Sequence, residues 1–582
     1  LAREHSEPWP GGRTNHYNFD LNRDWAWQTQ VESRQRIEKY NEWMPQIHCD
    51  FHEQYPENPY YFAPAAEPMH EVITPWQRSF QTVIGKNHAR YFDAKGWLYF
   101  TKEVFDLFYP SYGDTYPMYN GSIGMTYEQA GHSKGGLAIA VNEDTLTLSD
   151  RVLHHYTTSM STIEVCAAHA KEIQEQYKQY FESNQKNGSG EYAAYVICQS
   201  GNPEKNKALQ SLLDNNRISY KYAGENKSMK GFNYTNGKTE SFTISPNDLI
   251  ISSFQPKGAL VKVLFEPYSK LSDSVTYDIT AWSLPYVYGV DAYAVKEKIS
   301  MKTTDNISGQ PTIAVAGKDA YGYLIPYRSF SGSKLLCALL SAGIKLRFAE
   351  KDFKLNGAVF KKGTLIILQN ENKNKVPAML ELVKKFQQDD GCEIIPVETG
   401  FVESGLDFGS DKVHTIKPPA VGLLTGTNVN ANAAGEIWHL FEQQLNYPIT
   451  LINSDELPYA DLSKINVLIM PDGDYRFLKD KESFLKTWVR QGGKLIAMEN
   501  AVAQMADADW GIKLKKDNEN PDNKEPAYKD IKRYEDRERQ NVSNAIPGAI
   551  YRVQLDDSHP LAFGYTSTYY TLKQNVNVLE FL

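Results

Sequence analysis

Short apolar and β-branched runs, each closing on a polar residue or a glycine, alternate along the chain with stretches whose apolar residues return at helical spacing. Over the first 175 or so residues this pattern predicts a polar-faced helix at 28–41 (QTQVESRQRIEKYN) and a short strand, QIHCDF, after it. A β-rich run of small residues, GSIGMTY, follows at 121–127, and a closing helix at 149–179. The Pro- and Tyr-rich segments 58–68 and 109–121 read as ordered loops. Strands that end on polar side chains, helices that cross them and long loops imply an α/β unit, a mixed sheet flanked by helices.

A Ser/Asn/Gly break at 183–191 (SNQKNGSGE) closes that first unit, taken as residues 1–180. Strand-then-helix grammar returns at YAAYVICQS with NKALQSLLDNNRI, at 327–350 and at 363–386. Residues 190–412 therefore read as an α/β accessory region with a β-rich insert around 220–325. The cleanest alternation is the last, in 417–582. There PAVGLLTG, NYPITLI, INVLIMPDGDY and KLIAMEN read as strands, with GEIWHLFEQQL and KESFLKTWVRQGG as helices between them, and the order implies a parallel sheet. The charge-mixed run 515–541 reads as a solvated excursion.

Composition narrows the function classes. The 582 residues suffice for three or four domains, and a charged fraction of 23% removes disorder as the default. A net charge of −9 argues against a nucleic-acid binder, whose affinity comes from neutralising phosphates. No apolar run is long enough for a membrane span. Five scattered cysteines without a CxxC disfavour a disulfide framework or a thiolate zinc site.

Three stretches carry candidate chemistry: YNFDLNRDW at 17–25, CDFHEQ at 49–54 and GMTYEQAG at 124–131. Arg13, Asn22 and Arg23 lie close in sequence, with Asn22 and Arg23 read as ending an apolar strand. A guanidinium fork matches a carboxylate with two parallel hydrogen bonds and an amide adds a third donor, although a structural ion pair is the plainer reading. His52 suits a metal through a neutral ring nitrogen, or is simply a hydrogen-bonded histidine at a strand edge. Asp50, two residues earlier, is expected to turn to the opposite side of the strand and to be structural. Glu128 can move a proton if partial burial raises its pKa; alternatively it is a surface or capping carboxylate.

Read as an ordered set, DLNRDW (20–25), DFHE (50–53) and TYEQAG (126–131) resemble motifs of the zinc metallocarboxypeptidases of the carboxypeptidase A family, in the family's order and with a similar His-to-Glu separation. The loops around HEQYPENPYYFAPAAEP and YPSYGDTYPMYNG are similar to those of a large bacterial, usually exported branch. The resemblance covers about the first 175 residues. It implies that Asn22 and Arg23 grip the free C-terminal carboxylate of a peptide substrate, that Arg13 polarises the scissile carbonyl, and that His52 is one ligand of Zn2+. It further implies Glu128 as general base and then general acid, and Tyr112 or Tyr116 as a tyrosine closing over the substrate. Asp114 would favour basic side chains if it lay in the specificity pocket.

Several positions depart from the family pattern. Asp24 adds a negative charge beside the carboxylate clamp, and Glu53 and Gln54 replace the usual residues after His52. No His-x-x-Glu precedes Asn22. His169 with Glu172 and His439 with Glu442 show that spacing but read as structural, so the other two zinc ligands are expected upstream of Leu1. The 582 residues alone are then expected neither to hold zinc at His52 nor to hydrolyse peptides. The last region resembles the class I glutamine amidotransferase-like fold, with Glu499 where that fold carries a nucleophilic cysteine, and is expected to be non-catalytic.

The leading expectation is therefore a zinc-dependent carboxypeptidase, periplasmic or secreted by resemblance. The alternative is a metal-free, carboxypeptidase-like peptide-binding or scaffold protein. An amidase is disfavoured by Glu499.

Overall fold

The computed structural model describes residues 8–131, 136–199, 203–272, 279, 281–307, 320–478, 482–508, 510–515, 533–537, 539, 546, 548–575 and 577–580. Most of the charge-mixed run 515–541 lies outside them. The chain is a mixed α/β structure with several separate sheets.

In the first unit, α1 (Val31–Trp43) leads into β1 (Ile47–Gln54), followed by β2 (Tyr60–Tyr61), α2 (Pro75–Lys95), β3 (Tyr99–Phe100) and β4 (Ile123–Ala130). The sheet order is β1-β4-β2-β3: β4 runs parallel to β1 and antiparallel to β2, so the sheet is mixed. The helix expected at 28–41 starts later, because Gln28 takes φ +53° and the Asp24 carboxylate holds the N–H groups of Thr29 and Gln30 in a turn ahead of it.

Helix α2 is absent from the sequence reading. Its start is written in the chain as a capping box, Thr74 with Gln77 around Pro75, and its end as Gly96 at φ +69°. Its buried face mixes Phe80, Ile84 and Phe92 with Gln77, Gln81 and His88, which blurs the apolar period. Those glutamines are satisfied by carbonyls in and just before β4: Gln81 Nε2 donates to Gly124 O at 2.8 Å and Gln77 Nε2 to Ser122 O at 2.8 Å. The expected closing helix is two, α3 (Leu148–Ala168) and α4 (Ala170–Asn187), broken at His169.

Residues 190–412 mix strands with helices Pro203–Asn215, Gly258–Phe265, Phe330–Ser341 and Val376–Asp389, and their strands pair antiparallel in two larger sheets and the short hairpin Phe353–Leu355 with Ala358–Phe360. Ala194–Ile197 is an inner strand of a seven-stranded sheet, paired antiparallel with both Leu249–Ser252 and Ala292–Val295, so the β-rich part and the first strand are one structure. A five-stranded sheet follows, with Gly322–Ile325 between Leu365–Leu368 and Ile395–Val397.

The last region has the expected parallel sheet. Strands β5 (Val421–Thr425), β6 (Ile449–Asn453), β7 (Val467–Met470) and β8 (Lys494–Ala497) lie in the order β6-β5-β7-β8. Helices α5 (Ala431–His439), α6 (Ser483–Arg490) and α7 (Asn500–Ala506) connect and cover them.

Candidate active site

The parallel register of β1 and β4 sets His52 opposite Glu128 and Asp50 opposite Thr126. Alternation along β1 places residues two apart on the same face, and the structure corrects the expectation for Asp50 accordingly. Asp50 Oδ2 lies 2.7 Å from His52 Nε2, a hydrogen bond within the candidate site. With the Nε2 proton directed at Asp50, Nδ1 is left to accept from the Arg13 guanidinium, 3.4 Å away. The Asn22 amide nitrogen lies 3.1 Å from His52 Nε2. Burial and Arg13 lower the His52 pKa, but the hydrogen bond and charge of Asp50 together with the charge of Glu128 outweigh them, and the imidazole pKa is raised.

Asn22 and Arg23 do not end a strand. They sit on a single 3-10 turn, Leu21–Arg23, whose cap is Asp20: its Oδ1 accepts from Asn22 N at 2.9 Å. Asp20 Oδ2 accepts from Arg13 Nε at 3.1 Å and lies 3.8 Å from the Arg23 guanidinium, so one carboxylate aligns both arginines. Asn22 Oδ1 accepts from Gly113 N at 2.7 Å, and a Cβ on Gly113 would fall 2.1 Å from Asp50 Oδ2. Glycine here lets the 109–114 loop lie directly against the site.

Glu128 is 7% exposed, and among the described residues no hydrogen bond reaches its carboxyl. Burial pushes its pKa up to about 7; His52 and Arg13 pull it down, while Asp114 and Asp50 push it up. A carboxyl poised there exchanges its proton near neutrality, as general acid–base work requires.

The remaining candidates are distributed unevenly. Tyr112 is buried and lies under Arg23, with the guanidinium carbon 4.4 Å from its ring centroid. Tyr116 belongs to the core: it is 0% exposed and its hydroxyl donates to Asn216 Oδ1 at 2.8 Å. Asp114 is buried on the same face of the sheet as Asp50 and Glu128 and accepts from the Thr126 and Thr115 hydroxyls at 2.8 and 3.0 Å, so its carboxylate is already engaged. Asp24 faces away from the clamp, holding the turn before α1. Glu53 pairs with buried Arg151 at 3.0 Å, and Gln54 donates to Pro59 O at 2.6 Å.

The two later His-x-x-Glu pairs have other roles. His169 bonds Glu172 at the α3–α4 break, where Glu172 also accepts from Trp76 Nε1. His439 and Glu442 bear on residues 17–19. Asp50 and Asp20 are the functional residues missed in the sequence; the period of two in DFH and the N-cap position in DLNR were the signals for them. Two cavities, of about 530 and 450 Å³, lie elsewhere, one lined by Glu71, Tyr180, Lys262 and Glu266 and the other by Tyr234, Trp282, Tyr286 and Tyr570.

A zinc ion tests differently. His52 is the candidate ligand, and both of its ring nitrogens already have partners. Among the described residues no group of three or more His, Cys, Asp or Glu could hold a metal. These residues do not by themselves fit a zinc ion.

No family model, curated protein or solved structure matches the chain.

Proposed function

We propose that the first unit engages the C-terminal end of a peptide in the manner of the zinc metallocarboxypeptidases, hydrolysis of the last peptide bond being the reaction of the protein as a whole and export its setting. The observation that carries this reading is the pairing of Glu128, with its pKa near 7, and His52 across β1 and β4, with Arg13 and Asn22 both at the imidazole. Arg23 and Asn22, aligned by Asp20, supply the fork and amide that receive a carboxylate. Arg13 stands where it can face a developing negative oxygen. Glu128 takes a proton from the water that attacks the scissile carbonyl and returns it to the amine that leaves as the C–N bond breaks. Zinc is assigned to His52 by resemblance alone.

The second reading, a metal-free peptide-binding module, is favoured by one observation: Asp50 and Arg13 occupy the His52 ring nitrogens. The last region is proposed as a non-catalytic unit of amidotransferase-like architecture. Glu499 holds the turn between β8 and α7 at φ +50°, and a carboxylate there does no thiolate chemistry.

The test is release of the C-terminal residue from an unblocked peptide by the full chain with Zn2+ supplied, alongside its affinity for that peptide and for the C-terminal amide. Release abolished in Glu128→Gln supports hydrolysis. Preference for the free acid without release supports the binding reading. Equal affinity for acid and amide overturns both.

A further inference from the structure

The segment that carries Arg13 is held from two sides. On one side Arg13 meets Asp20 and His52. On the other, residues 9–19 lie on the last region of the chain, more than 400 residues away in sequence. Trp9 Nε1 donates to Val429 O at 3.0 Å. The Tyr17 hydroxyl donates to Glu442 Oε1 at 2.8 Å and accepts from Gln443 Nε2. The Tyr17 ring packs edge-on against Trp438 and His439, with centroids 5.0 and 5.2 Å apart, and Phe19 meets His439 at 5.2 Å.

The fit leaves no slack. Gly435 on α5 approaches the arm so closely that a Cβ would lie 2.0 Å from Tyr17 O and 2.7 Å from Asn18 Cβ. The arm itself is folded tightly: Asn15 Oδ1 accepts from the N–H groups of Tyr17 and Phe19 at 3.1 and 2.9 Å, and Asn18 takes φ +62°. Glu442 is fixed by a second bond, accepting from Trp438 Nε1 at 2.6 Å. A rigid arm gripped at Trp9 and at Tyr17 leaves Arg13, between them, little freedom of its own.

We propose that the α5 face of the last region, through Gly435, Trp438, His439 and Glu442, is a positioning surface for the candidate active site: it seats the 9–19 arm and thereby sets Arg13 against His52 and Asp20. These four are positioning residues, since none touches the site. The His439–Glu442 pair thus acquires a role that is neither metal binding nor internal to its own domain. The assignment of Arg13 to peptide chain ends rests on the function proposed above; the seating of the arm does not.

Gly435→Ala tests it in the full chain. Alanine suits a helix better than glycine, so α5 is not weakened, while its methyl group forces the arm off. Amide hydrogen exchange over residues 9–22 is expected to rise at least about tenfold, together with a loss of about tenfold or more in the preference for a free-acid peptide over its amide. Glu442→Gln, which keeps an acceptor for Tyr17, is expected to stay near the parent in both, and Trp438→Leu to follow Gly435→Ala. Unchanged exchange over 9–22 in both Gly435→Ala and Trp438→Leu overturns the proposal, as does raised exchange with the acid preference intact. If the parent chain shows no acid preference, the proposed function fails, and the exchange data alone still decide whether α5 seats the arm.

Discussion

Glu128 and His52 stand as direct partners in the parallel pairing of β1 and β4, the carboxyl buried and the imidazole held between Asp50 and Arg13. Parallel pairing delivers both side chains to one end of the sheet, and burial does the rest of the tuning. All eight residues of β4 are buried, which withdraws the water that would otherwise keep Glu128 ionised.

The pH dependence of stability follows from that burial. Glu128 rises from an ordinary 4.5 to about 7 in the folded chain, so the native state holds this proton more tightly than the unfolded state. The associated stability is full below pH 4.5 and is lost as pH rises to about 7, amounting to about 3 kcal/mol. Glu128→Gln is expected to flatten this part of the profile and to be the more stable protein at pH 8. Denaturant midpoints of the two chains between pH 4.5 and 8 check it; parallel profiles would contradict it.

Gly124 is expected to tolerate no side chain. A Cβ there would lie 1.8 Å from the Asp114 carbonyl oxygen, a backbone atom fixed by the loop that also carries Gly113. Gly124→Ala should cost about 1–3 kcal/mol, the range for overpacking a closed site, and displace the Asp114–Thr126 contact. Urea unfolding measures the cost, and a change below about 0.5 kcal/mol would show that the loop yields.

Much of the site was legible because its residues sit at positions with simple geometry. His52 and Glu128 each close a run that could only be a sheet strand, and their pairing needed only that the two strands be neighbours. Asp50 was misplaced by reading the strand period as one rather than two. Asn22 and Arg23 were found, but on a 3-10 turn capped by Asp20, since the hydrophobic run before them is too short to distinguish a strand from a loop. Helix α2 was hidden because its buried face depends on glutamines bonded to carbonyls in and just before β4, a tertiary circumstance no window of sequence contains. The parallel sheet of the last region was legible from alternation alone. The placement of Ala194–Ile197 inside an antiparallel sheet was not, because both of its partner strands lie more than fifty residues away.

Lys257 offers a second pH-linked prediction, away from the site. Its ammonium is buried with no acid paired to it among the described residues, donating to Asn120 Oδ1 at 2.6 Å and Asn41 Oδ1 at 2.8 Å, and burial lowers its pKa from 10.5 to about 7. The unfolded chain keeps that proton to higher pH, so the cost to folding is full below about pH 7 and is relieved as pH rises towards 10.5. Lys257→Met is expected to gain most below pH 7, by at most about 5 kcal/mol less the loss of two amide partners. Its advantage should vanish by pH 10, and an advantage constant with pH would contradict the burial.

The most direct measurement is a calorimetric titration of the full chain with one short peptide as its free acid and as its C-terminal amide, repeated with Arg23→Gln. The expected result is a clear preference for the acid in the parent chain, reduced by about 1.5–3 kcal/mol in the variant with affinity for the amide unchanged. Equal affinity for acid and amide in the parent chain, or an undiminished preference in Arg23→Gln, would contradict the assignment of this site to peptide chain ends.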